Sequence, residues 1–215
     1  MNERDRWVDW AVEIQALAQA GLTYGKDPYD LERYTRLREI AAEMIACKAD
    51  ISVEKARDLF CCETGYQTPK VDTRAAVFQD GRLLLVHESN GTWSLPGGWC
   101  DVDQSVAENT VKETLEEAGL RVSADRLIAV QDRNRRNPPR YAYGVVKIFR
   151  RRRSIPAPPS FRTGGSFREN LETTESRWFS REELPENLAE EKVTKEQLWM
   201  CFDAKDDPNW QPVLD

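Results

Sequence analysis

The sequence has little of what marks several common protein classes. Among 215 residues there is one histidine, His87, which argues against a zinc site built on imidazoles. The five cysteines, Cys47, Cys61, Cys62, Cys100 and Cys201, are an odd number with no C-x-x-C pair. Neither a disulfide framework nor a thiolate metal site is therefore expected, and reduced thiols in a cytoplasmic protein are. No apolar run approaches the roughly 20 residues a bilayer span needs. The charged start, Met1-Asn2-Glu3-Arg4-Asp5-Arg6, lacks the basic and apolar regions of a secretory signal. There is no surplus of positive charge either, since the net charge is −6. Proteins that hold long DNA or RNA carry a basic surplus that neutralises phosphates, so neither long nucleic acid nor a membrane is an expected partner. A small anionic substrate remains compatible, because a bound divalent cation supplies positive charge locally.

What is present is an ordinary soluble composition, 40% apolar and 32% charged, on a chain long enough for one good core and a smaller companion. Up to about residue 63 the pattern is helical. Trp7, Ala11, Ile14 and Ala18, flanked by Trp10 and Leu17, recur at the spacing of one helix face. Gly21 and Tyr24-Gly25-Lys26 end that segment. Asp27 offers an N-cap with Pro28 at the first helical position, and Leu31, Tyr34, Leu37, Ala41 and Ile45 form the next stripe. A third helix is expected from Ser52 through Ala56, Leu59 and Phe60. Three short amphipathic helices make too small a core to stand alone. They are expected to pack on the rest of the chain or on a second copy, with Trp7, Trp10, Tyr24 and Tyr29 contributing to a homodimer surface.

From Val71 the character changes. Ala75-Ala76-Val77-Phe78 reads as a strand, Asp80-Gly81 as a hairpin turn and Leu83-Leu84-Leu85-Val86 as its partner. Further strands are predicted at Arg126 to Gln131, Tyr141 to Phe149 and Arg177-Trp178-Phe179, with helices at Val106 to Ala118 and about Thr194 to Phe202. Strands mixed with helices, without a regular βαβ repeat, predict an α+β fold. The run Arg150 to Arg153, followed by Pro156, Pro158, Pro159 and Gly164-Gly165, reads as a loop.

The chemistry concentrates between Leu95 and Leu120. Pro96-Gly97-Gly98 breaks a strand and permits close backbone approach. Ser105 and Glu108 fit a capping box, and Gly119 stands where a helix commonly ends. On a wheel, Ala107, Val111, Leu115 and Ala118 cluster within roughly 80° as the expected buried face. Glu113, Glu116 and Glu117 gather opposite. Carboxylates at i, i+3 and i+4 repel one another, and they sit unfavourably near a helix C-terminus. A divalent cation reverses both penalties, whereas a solvated acidic face needs none. Oxygen donors without His or Cys suit Mg²⁺ or Mn²⁺.

The run Gly98-x5-Gln104-x7-Lys112-Glu113-Thr114-Leu115-Glu116-Glu117-Ala118-Gly119-Leu120 resembles the Nudix box, G-x5-E-x7-R-E-U-x-E-E-x-G-U with U a bulky aliphatic residue. Three positions depart from it: Gln104 for glutamate, Lys112 for arginine and Thr114 for an aliphatic residue. Lysine lacks the planar fork that orients two carboxylate oxygens, so Lys112 bears on rate more than on metal binding. The resemblance implies a Nudix-type mixed sheet sandwiched by helices over residues 66–215. Residues 1–65, with Leu22-Thr23-Tyr24 and Asp27-Pro28-Tyr29-Asp30, look like the helical segment that precedes some Nudix domains. That subgroup is associated with hydrolysis of a nucleoside diphosphate linked to another moiety, with ADP-ribose and CDP-choline as representative substrates. The Arg150 to Gly165 stretch does not follow the pattern.

Carried over by position, the resemblance implies Glu113, Glu116 and Glu117 as metal ligands, with the Gly98 carbonyl as a possible addition. Glu113 or Glu117 is a candidate general base. So is a carboxylate ahead of Trp178, where Glu172 stands at a better distance than Glu175. Arg74 is a candidate substrate contact or the partner of a carboxylate. Trp93, Trp99 and Trp178 are candidates to stack a base or to pack in the core, with Trp99 the one assigned to substrate. His87 is expected to have no chemical role. Rival readings are a house-cleaning nucleoside triphosphate pyrophosphatase and a catalytically weak nucleotide sensor, the latter favoured by Gln104 and Lys112.

Overall fold

A computed structural model of the protein describes residues 3–154 and 173–215. The chain divides into two compact units, one running to Pro69 with Arg140–Gly144 added, the other comprising Lys70–Pro139 and Val145 onward.

The first unit holds helices α1 (Glu3–Tyr24), α2 (Pro28–Ala49) and α3 (Val53–Phe60). Asp27 caps α2, its carboxylate accepting from the amides of Tyr29 and Asp30, and Ser52 caps α3. The packed faces consist largely of small side chains: Ala11, Ala41, Ala42, Ala46 and Ala56 close on Ile45, Phe60 and Cys61. Of the predicted face of α1, Ala11 and Ala18 are buried and Ile14 packs on the same cluster, but Trp7 does not join it. Gln15 and Gln19 are buried beside Ala11 and Ala18, while Trp7 stays 56% exposed, edge-on to Trp10. Polar groups enter because they are bonded: the Cys61 thiol donates to Gln15 Oε1 and the Gln19 amide to the Gly65 carbonyl.

The second unit is a seven-stranded mixed sheet. Its strands are β1 (Lys70–Gln79), β2 (Arg82–Glu88), β3 (Trp93–Ser94), β4 (Val122–Asp132), β5 (Val145–Ser154), β6 (Thr173–Phe179) and β7 (Val213–Leu214). Their order is β3-β2-β1-β5-β4-β7, with β6 on β2. β1 lies parallel to β5, from Lys70 beside Val145 to Phe78 beside Arg153, and antiparallel to β2 across the Asp80-Gly81 turn. Both turn residues have positive φ, as a two-residue hairpin requires. Helix α4 (Val106–Ala118) covers one face and α6 (Lys195–Asp206) the other. Because strand side chains alternate, Ala75, Val77, Leu84 and Val86 pack toward α4 while Ala76, Leu83 and Leu85 pack toward Leu198, Cys201 and Phe202 of α6. Both faces are buried, so these strands read as continuous apolar runs.

The expected α+β sandwich is present, with two corrections. Arg150 to Arg153 form the end of β5 rather than a loop, in register with Ala75 to Phe78. Arg152 is buried and donates to the Ala107 carbonyl of α4 at 2.6 Å. The predicted strand at Tyr141 begins instead at Val145, and Arg140–Gly144 belong to the helical unit, where Arg140 pairs with Asp9. A short helix, α5 (Arg133–Arg136), was not anticipated. Among the described residues no helix is long and apolar enough to cross a membrane.

Candidate active site

Helix α4 spans the predicted residues, with both halves of its capping box formed by Ser105 and Glu108 and with Gly119 left-handed at its end. Its buried face matches the predicted one only in part, Ala118 being buried and Val111 packing on the sheet-side core. Asn109, Thr110, Thr114, Glu117 and Ala118 turn inward, and Leu115 stays 44% exposed. The threonines can do this because each hydroxyl is satisfied within the helix, Thr110 by the Val106 carbonyl and Thr114 by that of Thr110. With its hydroxyl so bonded, Thr114 is fully buried at the position where an aliphatic residue was expected. Asn109 fastens the helix to β1 through Thr73 Oγ1 at 2.9 Å.

This rotation separates the three carboxylates by environment. Glu117 is 5% exposed, and its Oε2 accepts the Gly97 amide at 2.7 Å. Burial pushes its carboxyl up to about 7, against the opposing pull of Arg74 and the Gly97 amide. Glu113 is also raised, again by burial first. Glu116 stands in solvent with its side chain 56% exposed. Lys112 lies among them, 2.8 Å from Asp101, 3.6 Å from Glu113 and 3.7 Å from Glu116. Its pKa is raised, chiefly by the bond to Asp101. Among the described residues no three acidic, His or Cys side chains are gathered around one point. Lys112 lies against Glu113 and Glu116, while Glu117 is bonded separately to the Gly97 amide.

The glycine turn is fastened along β1. The amides of Thr73 and Ala75 bond the carbonyls of Gly98 and Pro96 at 2.9 and 2.8 Å, and Cys100 bonds back to Val71. The Gly98 carbonyl therefore faces β1, accepting from the Thr73 amide and, at 3.5 Å, from the Thr73 hydroxyl. The Pro96–Gly97 peptide thus spans the turn, its carbonyl bonded to Ala75 of β1 and its amide donated to Glu117. Gly97 has φ +143°, and a Cβ there would lie 1.9 Å from the Thr73 carbonyl oxygen. A Cβ on Gly98 would lie 3.0 Å from Glu113 Oε2. Glycine is required at 97 by the backbone approach, whereas at 98 the near atom is the end of a flexible carboxylate.

Arg74 is placed as the partner of a carboxylate. It is 4% exposed, binds Asp72 through two nitrogens at 2.7 and 3.0 Å and donates to the Leu95 carbonyl at 3.2 Å. Of the three tryptophans, Trp93 is buried against Phe179 and Trp178 packs against the α4-side core. Trp99 remains, 49% exposed beside the glycine turn. Glu175 points to solvent, paired with Arg177 at 2.7 Å, and Glu172 lies outside the described residues. His87 bonds Thr174 Oγ1 at 2.8 Å and packs on Trp93.

Sequence reasoning missed Asp72, Glu88, Lys147 and Lys192, which extend the site below the turn. Glu88 accepts from Ser94 Oγ at 2.6 Å and from Lys192 Nζ at 2.5 Å. Burial pulls the Lys147 ammonium down to about 7. A signal was available: Asp72, Arg74 and Lys147 interrupt strands that are otherwise apolar on both faces, and such charges persist only when paired.

Residues 68–198 match the family described as the NUDIX domain, and residues 5–60 match the one described as "UDP-X-like, N-terminal oligomerisation domain". The chain is 39% identical over 211 residues to a Bacillus subtilis (strain 168) protein named "Putative ADP-ribose pyrophosphatase YjhB", covering 98% of this chain and 97% of that one. An ADP-ribose pyrophosphatase from Streptococcus suis 89-1591 has 47% identity and a TM-score of 0.60, over 69% of this chain and all of the other. A UDP-X diphosphatase matches both chains over their full lengths, with 31% identity and a TM-score of 0.61.

Proposed function

The chain belongs to the Nudix hydrolase family, and on that premise we propose that it cleaves the diphosphate of a small nucleoside diphosphate linked to a second moiety, of the ADP-ribose or CDP-choline class. The products are a nucleoside monophosphate and the phosphorylated second moiety. The observation that carries this reading is end-to-end similarity, helical unit included, to proteins named for ADP-ribose and UDP-X.

The donor set fits Mg²⁺ or Mn²⁺. Glu113, Glu116 and Glu117 offer hard oxygens, and the two that burial raises lack sufficient positive charge around their ionised forms. A carbonyl of the glycine turn is the further donor. The Gly98 carbonyl is the candidate, although it already accepts from the Thr73 amide and, at 3.5 Å, from the Thr73 hydroxyl. A divalent cation bound there neutralises the diphosphate and lowers the pKa of the attacking water. The chain's own residues do the rest. Lys112 steadies Glu113 and Glu116, the Gly97 amide orients Glu117, and the half-exposed Trp99 ring offers a face to the base. Glu113 accepts the water proton in this reading, unless Glu172 supplies that carboxylate. The helical unit joins two copies through the exposed Trp7, Trp10, Tyr24 and Tyr29.

The test is a substrate panel of ADP-ribose, CDP-choline, a UDP-sugar and nucleoside triphosphates, each with Mg²⁺, Mn²⁺ or EDTA. Metal-dependent release of a nucleoside monophosphate from a diphosphate-linked substrate is expected. Pyrophosphate released from triphosphates alone would replace the substrate class, and binding without turnover would leave a sensor.

A further inference from the structure

Lys147 is a lysine among Val145, Val146, Ile148 and Phe149 of β5, with its side chain 1% exposed. An ammonium so far from water persists only where it is paired and hydrogen-bonded. Its Nζ donates to the main-chain carbonyl of Lys192, and to that of Glu191 at 3.5 Å, and stands 3.6 Å from Asp72 Oδ2. Each end of this contact continues into the site. Asp72 is the carboxylate that holds Arg74, and Arg74 donates to the Leu95 carbonyl ahead of the glycine turn. The Lys192 end lies in a tight turn, where the amides of Lys192 and Val193 both bond the Ala189 carbonyl at 2.7 Å. From that turn the Lys192 ammonium reaches Glu88, and its charge bears on Glu117.

We propose that Lys147 is a positioning residue that ties the 189–193 turn to β1. Through that tie the Lys192 ammonium is held beside Glu88 and Glu117, while the same Asp72 holds the glycine turn through Arg74. One buried amine thereby sets the spacing of the two segments that bound the site. The catalytic consequence rests on the diphosphatase reading above, whereas the tie itself does not.

The experiment compares the full-length protein with Lys147→Met, by residue-resolved amide exchange and by kinetics per folded molecule. Local release of the turn predicts that the Lys192 and Val193 amides exchange at least about tenfold faster, while the β1–β5 ladder keeps its rates. Misplacement of Lys192 predicts a kcat lower by about tenfold to a hundredfold, with KM changed by less than about threefold. Unchanged exchange at Lys192 and Val193 would overturn the proposal. So would acceleration spread evenly over the ladder, which is the mark of a merely structural lysine. If Lys147→Met does not fold, Lys147→Gln, which keeps a donor without the charge, is judged by the same exchange pattern. Absence of turnover in the unaltered protein would defeat the functional reading, and exchange alone would then decide the tie.

Discussion

Glu117 and Lys112 each owe their behaviour to their immediate surroundings. Burial raises the Glu117 carboxyl from its ordinary 4.5 to about 7. The folded state then binds its proton more tightly than the unfolded chain does. The stability this group contributes is fully present below about pH 4.5 and is lost as the pH rises to about 7, a change on the order of 3 kcal/mol. In EDTA, Glu117→Gln should therefore gain stability over the unaltered protein between pH 5 and pH 8. Thermal unfolding at those two values checks this, and equal shifts for both proteins would show that burial does not bear on that carboxylate. Lys112 occupies the arginine position of the motif yet touches Asp101, Glu113 and Glu116. Lys112→Arg should keep kcat within about threefold, and Lys112→Met should lower it about tenfold by releasing the carboxylates it steadies. Steady-state kinetics with saturating Mg²⁺ distinguishes the two.

At the scale of the element, α4 is positioned by its ends and by the polar groups it buries. Ser105→Ala removes the cap acceptor and should cost about 1 kcal/mol, seen as a fall in Tm of about 3 °C; an unchanged Tm would show that the capping box adds nothing. The ends of this helix were legible because caps are local chemistry, and so were the Asp27 cap and the Asp80-Gly81 hairpin. Its orientation was not. An apolar wheel places Leu115 inside, but Thr110 and Thr114 satisfy their own hydroxyls and approach the sheet more closely. Glu117 follows them to the Gly97 amide. The glutamates could be read from their spacing, while the division into one buried, one half-buried and one exposed carboxylate depends on that rotation. Arg150 to Arg153 misled for a related reason: four arginines look like a solvated run until β1 supplies the parallel partner for each.

For the whole molecule, the helical unit leaves Trp7, Tyr24 and Tyr29 more than half exposed. These side chains are the ones the proposed pairing of two copies would cover. Light scattering should give twice the 24.8 kDa of one chain, and a double Trp7→Glu, Tyr29→Glu variant should give a single chain with its helix content retained. A monomer for the unaltered protein at micromolar concentration would end the dimer reading. Of the buried charges of the second unit, Arg74 was read as a possible partner of a carboxylate, and Asp72 lies two residues from it, whereas the contact of Lys147 with the 189–193 turn joins segments more than forty residues apart and could not be read from spacing.

The most direct test of the account is ADP-ribose hydrolysis by the unaltered protein and by Glu117→Gln, each with Mg²⁺ and with EDTA, resolved by product. The account predicts AMP and ribose phosphate from the unaltered protein with Mg²⁺ alone, and no turnover by Glu117→Gln although it folds. Near-normal hydrolysis by Glu117→Gln, or hydrolysis in EDTA, would contradict it.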